Sequence, residues 1–209
     1  MTPRSPSLFH LHFQVPDVGY AQSVLTNCGL PLHRRYGRVD DRPRSFGPDE
    51  APPSRFQLRL QDAQRGTANV TIAPGPRLRF DHIGVLTASF DDVLSRARDE
   101  GWYVDDGDRR TFLHTPWGFR VEVHPFDHRV ASTLGSPGTG RFERVELAVA
   151  NPGAVRSSLD GLLGPLDTLS IEGWQGNEPT VGRVRLAGAE VPANGAFHKT
   201  DLVAEVDVN

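Results

Sequence analysis

The sequence predicts an α+β protein assembled from βαβββ modules, two of them paired and a third degenerate. Three observations predict it. A plan of strand, N-cap residue, helix and glycine recurs three times; each copy carries an apolar stripe at helical spacing; and short alternating segments that read as strands come after each glycine.

The first copy runs Leu11-His12-Phe13-Gln14-Val15-Pro16-Asp17 and its helix closes at Gly29. The second runs Ile83-Gly84-Val85-Leu86-Thr87-Ala88-Ser89 and closes at Gly101, and the third runs Val145-Glu146-Leu147-Ala148-Val149-Ala150-Asn151 and closes at Gly164. Asp17, Ser89 and Asn151 suit the N-cap because a side-chain oxygen there accepts from an orphan helix N–H. Ser89 with Asp92 has the spacing of a capping box, and Pro152 fits the first helical position. The stripes are Tyr20, Ala21, Val24, Leu25 and Cys28; Phe90, Val93, Leu94 and Ala97; and Val155, Leu159, Leu162 and Leu163. Cap and glycine are 12 residues apart in the first two copies and 13 in the third.

Strands are expected near 32–38, 56–60 and 69–73 in the first copy, and near 102–105, 111–114 and 119–124 in the second. In the third they fall near 166–171, 181–186 and 201–208. One such module is too short to bury a good core, so modules should pair. The expected organisation is a pair over 8–127 (8–76 and 77–127), a linker over 128–140 and a third module over 141–209. The third module is expected to cover a sheet edge or to pair with its copy in a homodimer. Residues 40–54 are rich in proline, glycine and charge and predict no regular structure; they read equally as a lid or as a disordered insertion.

The phrase Thr115-Pro116-Trp117-Gly118-Phe119-Arg120-Val121-Glu122 is a turn leading into a strand on which Val121 and Val123 point one way, Glu122 and His124 the other. Glu122 is then either on a wet face or aimed into a polar site. His10 and His82 each lie seven residues before a helix cap, and so occupy equivalent places in the repeat.

This arrangement resembles the vicinal oxygen chelate superfamily, which includes glyoxalase I, extradiol dioxygenases and the fosfomycin- and bleomycin-resistance proteins. The resemblance covers residues 8–127 and extends more weakly to the third module. It rests on the repeat plan and on the turn phrase, which is similar to an Asp-Pro-x-Gly…Glu signature with Thr115 in place of Asp. It implies a cupped sheet around a divalent metal, with ligands from the first and last strands of the modules: His10, His82 and Glu122. The fourth equivalent position falls near Thr71, a poor ligand.

Imidazole and carboxylate suit iron(II) or manganese(II), and zinc(II) with an open position also fits. Such a metal would polarise two adjacent substrate oxygens or stabilise an enolate. His12 shares the strand face of His10, so a small register change exchanges them. His124 reads as a partner of Glu122 or as an exposed residue. His114 reads as the catalytic proton carrier or as a partly exposed strand residue, and Phe112 stands where ring-cleaving relatives carry tyrosine. His33, His128 and His198 read as surface residues. In the third module the histidine position falls on Arg144, which reads as a surface ion pair or an anion contact, and Glu205 lies in the last expected strand. Two functions are implied: a metal-dependent dioxygenase, isomerase or lyase acting on a small molecule with vicinal oxygens, or a metal-free protein that sequesters a small aromatic or antibiotic.

Composition bounds the rest. A net charge of −3 and a pI near 6.2, with no basic stripe, exclude a nucleic-acid partner. Cys28 is the only cysteine, so no intrachain disulfide forms. No apolar run approaches membrane-spanning length, no membrane partner is expected, and a cytoplasmic location is the expectation.

Overall fold

The computed structural model describes residues 4–187 and the backbone of 196–198. The first module comprises β1 (Ser7–Val15), α1 (Val18–Asn27), β2 (Leu32–Val39), β3 (Arg42–Phe46), β4 (Gln57–Arg65) and β5 (Ala68–Pro74). The second comprises β6 (Arg79–Thr87), α2 (Phe90–Asp99), β7 (Tyr103–Asp106), β8 (Thr111–His114) and β9 (Arg120–Pro125). All nine strands form one curved sheet in the order β3-β2-β4-β5-β1-β6-β9-β8-β7. At its centre β1 and β6 run antiparallel, and each has the last strand of its own module, β5 or β9, parallel on its other side. Exchanging the two modules leaves this pattern unchanged, a local pseudo-twofold.

Strand alternation divides the sheet chemically. On β1, Leu11, Phe13 and Val15 are buried in the core, while His10, His12 and Gln14 lie on the opposite face. The helices are cut where the caps predict. The Asp17 carboxylate accepts from Tyr20 N–H at 2.8 Å and the Asn151 side chain from Ala154 N–H at 3.2 Å. Gly29, Gly101 and Gly164 take positive φ of 82°, 77° and 82° just past the helix ends, as a left-handed termination requires. Ser89 departs from expectation and makes no side-chain cap; the Thr87 hydroxyl takes Ser89 N–H at 3.1 Å instead. Asp91 and Asp92 then complement the helix dipole in the first turn.

Two further expectations are corrected. Residues 40–54 are not wholly irregular, because β3 pairs with β2 through a two-residue turn in which Asp40 and Asp41 have φ of 49° and 60°. Proline and charge misled here because an exposed edge strand tolerates both. The stretch 128–140 is not a plain linker. His128 caps a short helix, α3 (Arg129–Thr133), and backbone bonds from Gly135 and to Gly140 tie residues 135–140 to the turn between β4 and β5.

The third unit consists of β10 (Arg141–Val149), α4 (Pro152–Leu163), β11 (Leu169–Gly173), β12 (Thr180–Ala187) and β13 (Ala196–His198), in the sheet order β11-β10-β12-β13. Its first strand pairs with β11 rather than with a last strand, and the strand expected at 201–208 lies outside the described residues, as does Glu205. The β10–β12 pair reproduces β1–β6. Register shifts fall between Leu8/His10 and His12/Phe13 in one pair and between Phe142/Arg144 and Glu146/Leu147 in the other. Arg144, Glu146 and Arg183 thus occupy the places of His10, His12 and His82, and Glu146 sits within 3.4–3.9 Å of both arginines. This sheet covers the apolar face of the first sheet, not its edge: Val181 and Val184 close over Leu11, Phe13, Val15 and Ile72 in one continuous core. The row of buried side chains on β1 explains the placement, since that face is the surface most costly to leave in water.

Candidate metal centre

Pairing across three strands brings the polar side chains into two rows. His10, Gly84 and Glu122 are neighbours in one row; His12, His82 and Arg120 form the next. Gly84 leaves the space between His10 and Glu122 open. A Cβ there would lie 2.6 Å from the His10 Cβ and 2.9 Å from the Phe9 ring. The turn ahead of β9 is held by Thr115, whose hydroxyl donates to the Phe119 carbonyl at 2.7 Å and accepts from Trp117 N–H at 3.3 Å. Gly118 supplies the required φ of 86°. The Thr115 side chain thus closes this turn.

His10, His82, Glu122 and His124 are all buried. Glu122 Oε2 lies 3.1 Å from His82 Nε2 and 3.9 Å from His10 Nε2. The other atom of each group is occupied. His10 Nδ1 donates to Asn69 Oδ1 at 2.7 Å, His82 Nδ1 donates to Asp81 Oδ2 at 2.7 Å, and His124 Nε2 donates to Glu122 Oε1 at 2.7 Å. Such outer bonds fix the tautomer and turn the remaining lone pair inward. His10 Nε2 has no hydrogen-bond partner although it is buried, and neither has His12 Nδ1. A buried imidazole nitrogen without a partner is costly unless something else fills its lone pair. Ligand atoms of His10, His12 and His82 lie within 4.8 Å of one another. The structure therefore brings His10, His82 and Glu122 together and adds His12 beside them. These donors fit a divalent cation: two or three imidazoles, one carboxylate, and lone pairs already aimed at a common space.

The electrostatics agree. Burial holds His10 well below the ordinary imidazole value, against the pull of Glu122, and His82, Arg110 and His12 depress it further. Burial likewise lowers His12 to about 3, with His82 assisting. Burial would raise the Glu122 carboxyl, but His124 and His82 at hydrogen-bond distance, with His10 and Arg110 close by, outweigh it and hold it well below the usual range. Asp81 is depressed against its own burial by His82 and Arg120. His10 and His12 are thus neutral and Asp81 and Glu122 ionised, and neutral imidazole and ionised carboxylate are the states that ligate a metal.

His114 is not among these donors. It is half-buried on β8, packs against Tyr103 with the rings tilted at 59° and their centroids 5.0 Å apart, and lines an adjoining cavity with His12 and Arg120. His124 is the buried partner of Glu122, not exposed, and stacks on His128 at 4.2 Å. His33 bonds Asp62 at 3.3 Å. The Asp62 carboxylate also accepts from Asn69, so His33 and His10 join one network. His198 lies where only the backbone is described. Asn69, Asp81 and Arg110 went unrecognised in the sequence. Asp81 is the extra residue of a bulge, since His12 pairs with His82 and Phe13 with Phe80. Strict alternation would put it on the opposite face. An acid directly beside a candidate histidine was the available signal.

No family model and no curated protein matches the chain. Solved structures do. The Mn(II)-bound glyoxalase from Novosphingobium aromaticivorans superposes with a TM-score of 0.63 at 12% identity, covering 88% of this chain and 65% of that one. 2,2',3-Trihydroxybiphenyl 1,2-dioxygenase from Sphingomonas wittichii gives 0.58 at 15%, covering 88% and 73%. A mutant 4-hydroxymandelate synthase from Streptomyces coelicolor gives 0.59 at 10%, covering 88% and 71%. The chain thus spans about two thirds of these proteins, and at such identities the likeness is one of fold. Among the described residues no helix is long and apolar enough to cross a membrane. The paired modules, their antiparallel centre and these superpositions give the chain the glyoxalase- and dioxygenase-type fold of paired βαβββ modules.

Proposed function

We propose that this chain is a divalent-metal-dependent enzyme acting on a small molecule with two adjacent oxygens, with His10, His82 and Glu122 as the metal ligands. One observation carries the reading: the buried, unpartnered Nε2 of His10 faces the same space as His82 Nε2 and Glu122 Oε2, while Asn69, Asp81 and His124 hold the far side of each group. Iron(II) or manganese(II) suits this donor set best, and zinc(II) is accommodated. When bound, the metal supplies a Lewis acid that stabilises negative charge on the two substrate oxygens. The protein does the rest. Phe9 and Phe112 wall the histidines with apolar surface, 5.7 Å from the His10 ring and 5.1 Å from the His82 ring, and so limit water. His114, at the adjoining cavity, is placed to hold or accept a substrate proton. Ring-cleaving oxygenation and isomerase or lyase proton transfer share these requirements.

The test is to load the purified protein anaerobically with each metal and then add catechols and 2-oxo aldehydes. One metal per chain with oxygen uptake on catechols supports ring cleavage; turnover without oxygen supports an isomerase or lyase. Failure to retain any metal, with tight binding of an aromatic ligand, would make the chain a sequestering protein instead.

A further inference from the structure

Beside the donor cluster lies a cavity of about 520 Å³ whose wall includes His12, Gln14, Arg79, Asp81, His114 and Arg120. Its size is that of a small-ligand site. The cavity and the donor cluster share walls. His12 belongs to both, Asp81 binds His82 directly, and Arg120 is the strand neighbour of His82. A ligand that presented two oxygens to His10, His82 and Glu122 would extend its remaining atoms into this space.

The charge of that space is lopsided. Asp81 is its one carboxylate and is already spent: Oδ1 accepts from Arg79 at 3.2 Å, and Oδ2 accepts from both His82 and Arg120. Two guanidinium groups share one carboxylate, and each retains further N–H donors in a fork suited to an oxyanion. The side chains are 44% exposed for Arg79 and 30% for Arg120, so both are reachable from the cavity. Arg120 is held in place by the Phe112 ring, with Cζ 4.3 Å from its centroid. A third cation, Arg110, reaches Glu122 at 3.4 Å. A metal taking up Glu122 would leave the cup more positive still.

Resting on the reading of the metal centre, we propose that the substrate carries a carboxylate remote from its vicinal oxygens, and that Arg79 and Arg120 bind that carboxylate in this cavity. The pair sets specificity: an acid is selected over its neutral ester because only the acid repays the desolvation of the two guanidinium groups.

The experiment uses the Mn(II)-loaded protein under argon and measures Kd calorimetrically for catechol, 3,4-dihydroxybenzoate, 3-(3,4-dihydroxyphenyl)propionate and the methyl esters of both acids. At least one acid should bind about tenfold or more tightly than its ester, with the advantage shrinking as salt rises. Arg79→Gln should cut that acid-to-ester ratio severalfold and Arg79→Glu should abolish or invert it, with metal content measured in parallel to show that the centre is intact. If acids and esters bind alike, the carboxylate site is wrong while the metal centre stands. An acid preference that survives both substitutions would likewise overturn the assignment to Arg79. If the protein retains no metal, the metal-centred reading fails and takes this one with it; if it retains metal but binds none of these catechols, this proposal alone is overturned.

Discussion

His82 lies between two carboxylates, with Nδ1 2.7 Å from Asp81 Oδ2 and Nε2 3.1 Å from Glu122 Oε2. A neutral imidazole offers one donor and one acceptor, so it satisfies one of these neighbours and turns a lone pair on the other. A cation between Nε2 and Oε2 resolves that conflict. Replacing His10, His82 or Glu122 by Ala should therefore lower affinity for manganese(II) by about 100-fold or more, exceeding the outer-contact range. His12→Ala should lower it less. Competition titration with metal analysis checks the order. Were His12→Ala to abolish binding while Glu122→Ala did not, the three histidines would be the ligands.

The outer contacts give a second expectation. Asp81→Asn and Asn69→Ala leave every proposed ligand in place but loosen His82 and His10. Each should weaken metal affinity by about 10–100-fold without preventing full occupancy at saturating metal. Metal titrations of the two variants, with circular dichroism to confirm folding, decide it. Unchanged affinity would show that burial alone holds these rings.

The repeat explains why the sequence could bring His10, His82 and Glu122 to one place. A ligand position defined by distance to a helix cap survives any drift in the rest of the module, so His10 and His82 could be matched, and the turn phrase located Glu122. What alternation could not reveal were residues displaced by bulges. Phe9 and Asp81 are the extra residues in β1 and β6, and both reach the histidines although period-two reasoning puts them elsewhere. Long-range contacts were equally hidden. Arg110 comes from the loop before β8 and Asn69 from β5, and nothing local marks either as a neighbour of Glu122 or His10. The third unit misled for a different reason. Its strand and helix signals match the modules, but chain order does not specify that β11 pairs with β10 or that β12 takes the place of β6.

Gly84 tests the geometry without touching a donor. An added Cβ meets the His10 Cβ at 2.6 Å and the Phe9 ring at 2.9 Å, and β1, at the sheet centre, has little room to yield. Gly84→Ala should cost about 1–3 kcal/mol of stability by overpacking and should also weaken metal binding by pushing His10 away from Glu122. Urea denaturation and metal titration of the variant measure the two effects. Retention of wild-type affinity would mean that the open floor is irrelevant to the centre.

Acid should destabilise the metal-free protein, and the sign comes from the buried histidines. In the unfolded chain His10 and His12 take up protons as pH falls through about 6.5, whereas in the folded chain burial keeps both largely neutral, His12 down to about 3. Over that window the unfolded state binds more protons, so stability is full above about pH 6.5 and declines below it, by up to about 1.4 kcal/mol per pH unit for each such histidine. Glu122 acts in the same direction at lower pH: its depressed folded value means that its contribution, present above the unfolded carboxylate range, is lost as pH falls toward the folded one. Urea midpoints at pH 7, 6 and 5 should fall in that order. His12→Phe, which keeps an apolar ring but cannot titrate, should flatten the slope by about one proton. A metal-free protein equally stable at pH 7 and 5 would mean that the histidines are protonated against Glu122 in the fold, and the neutral, metal-ready centre would not exist.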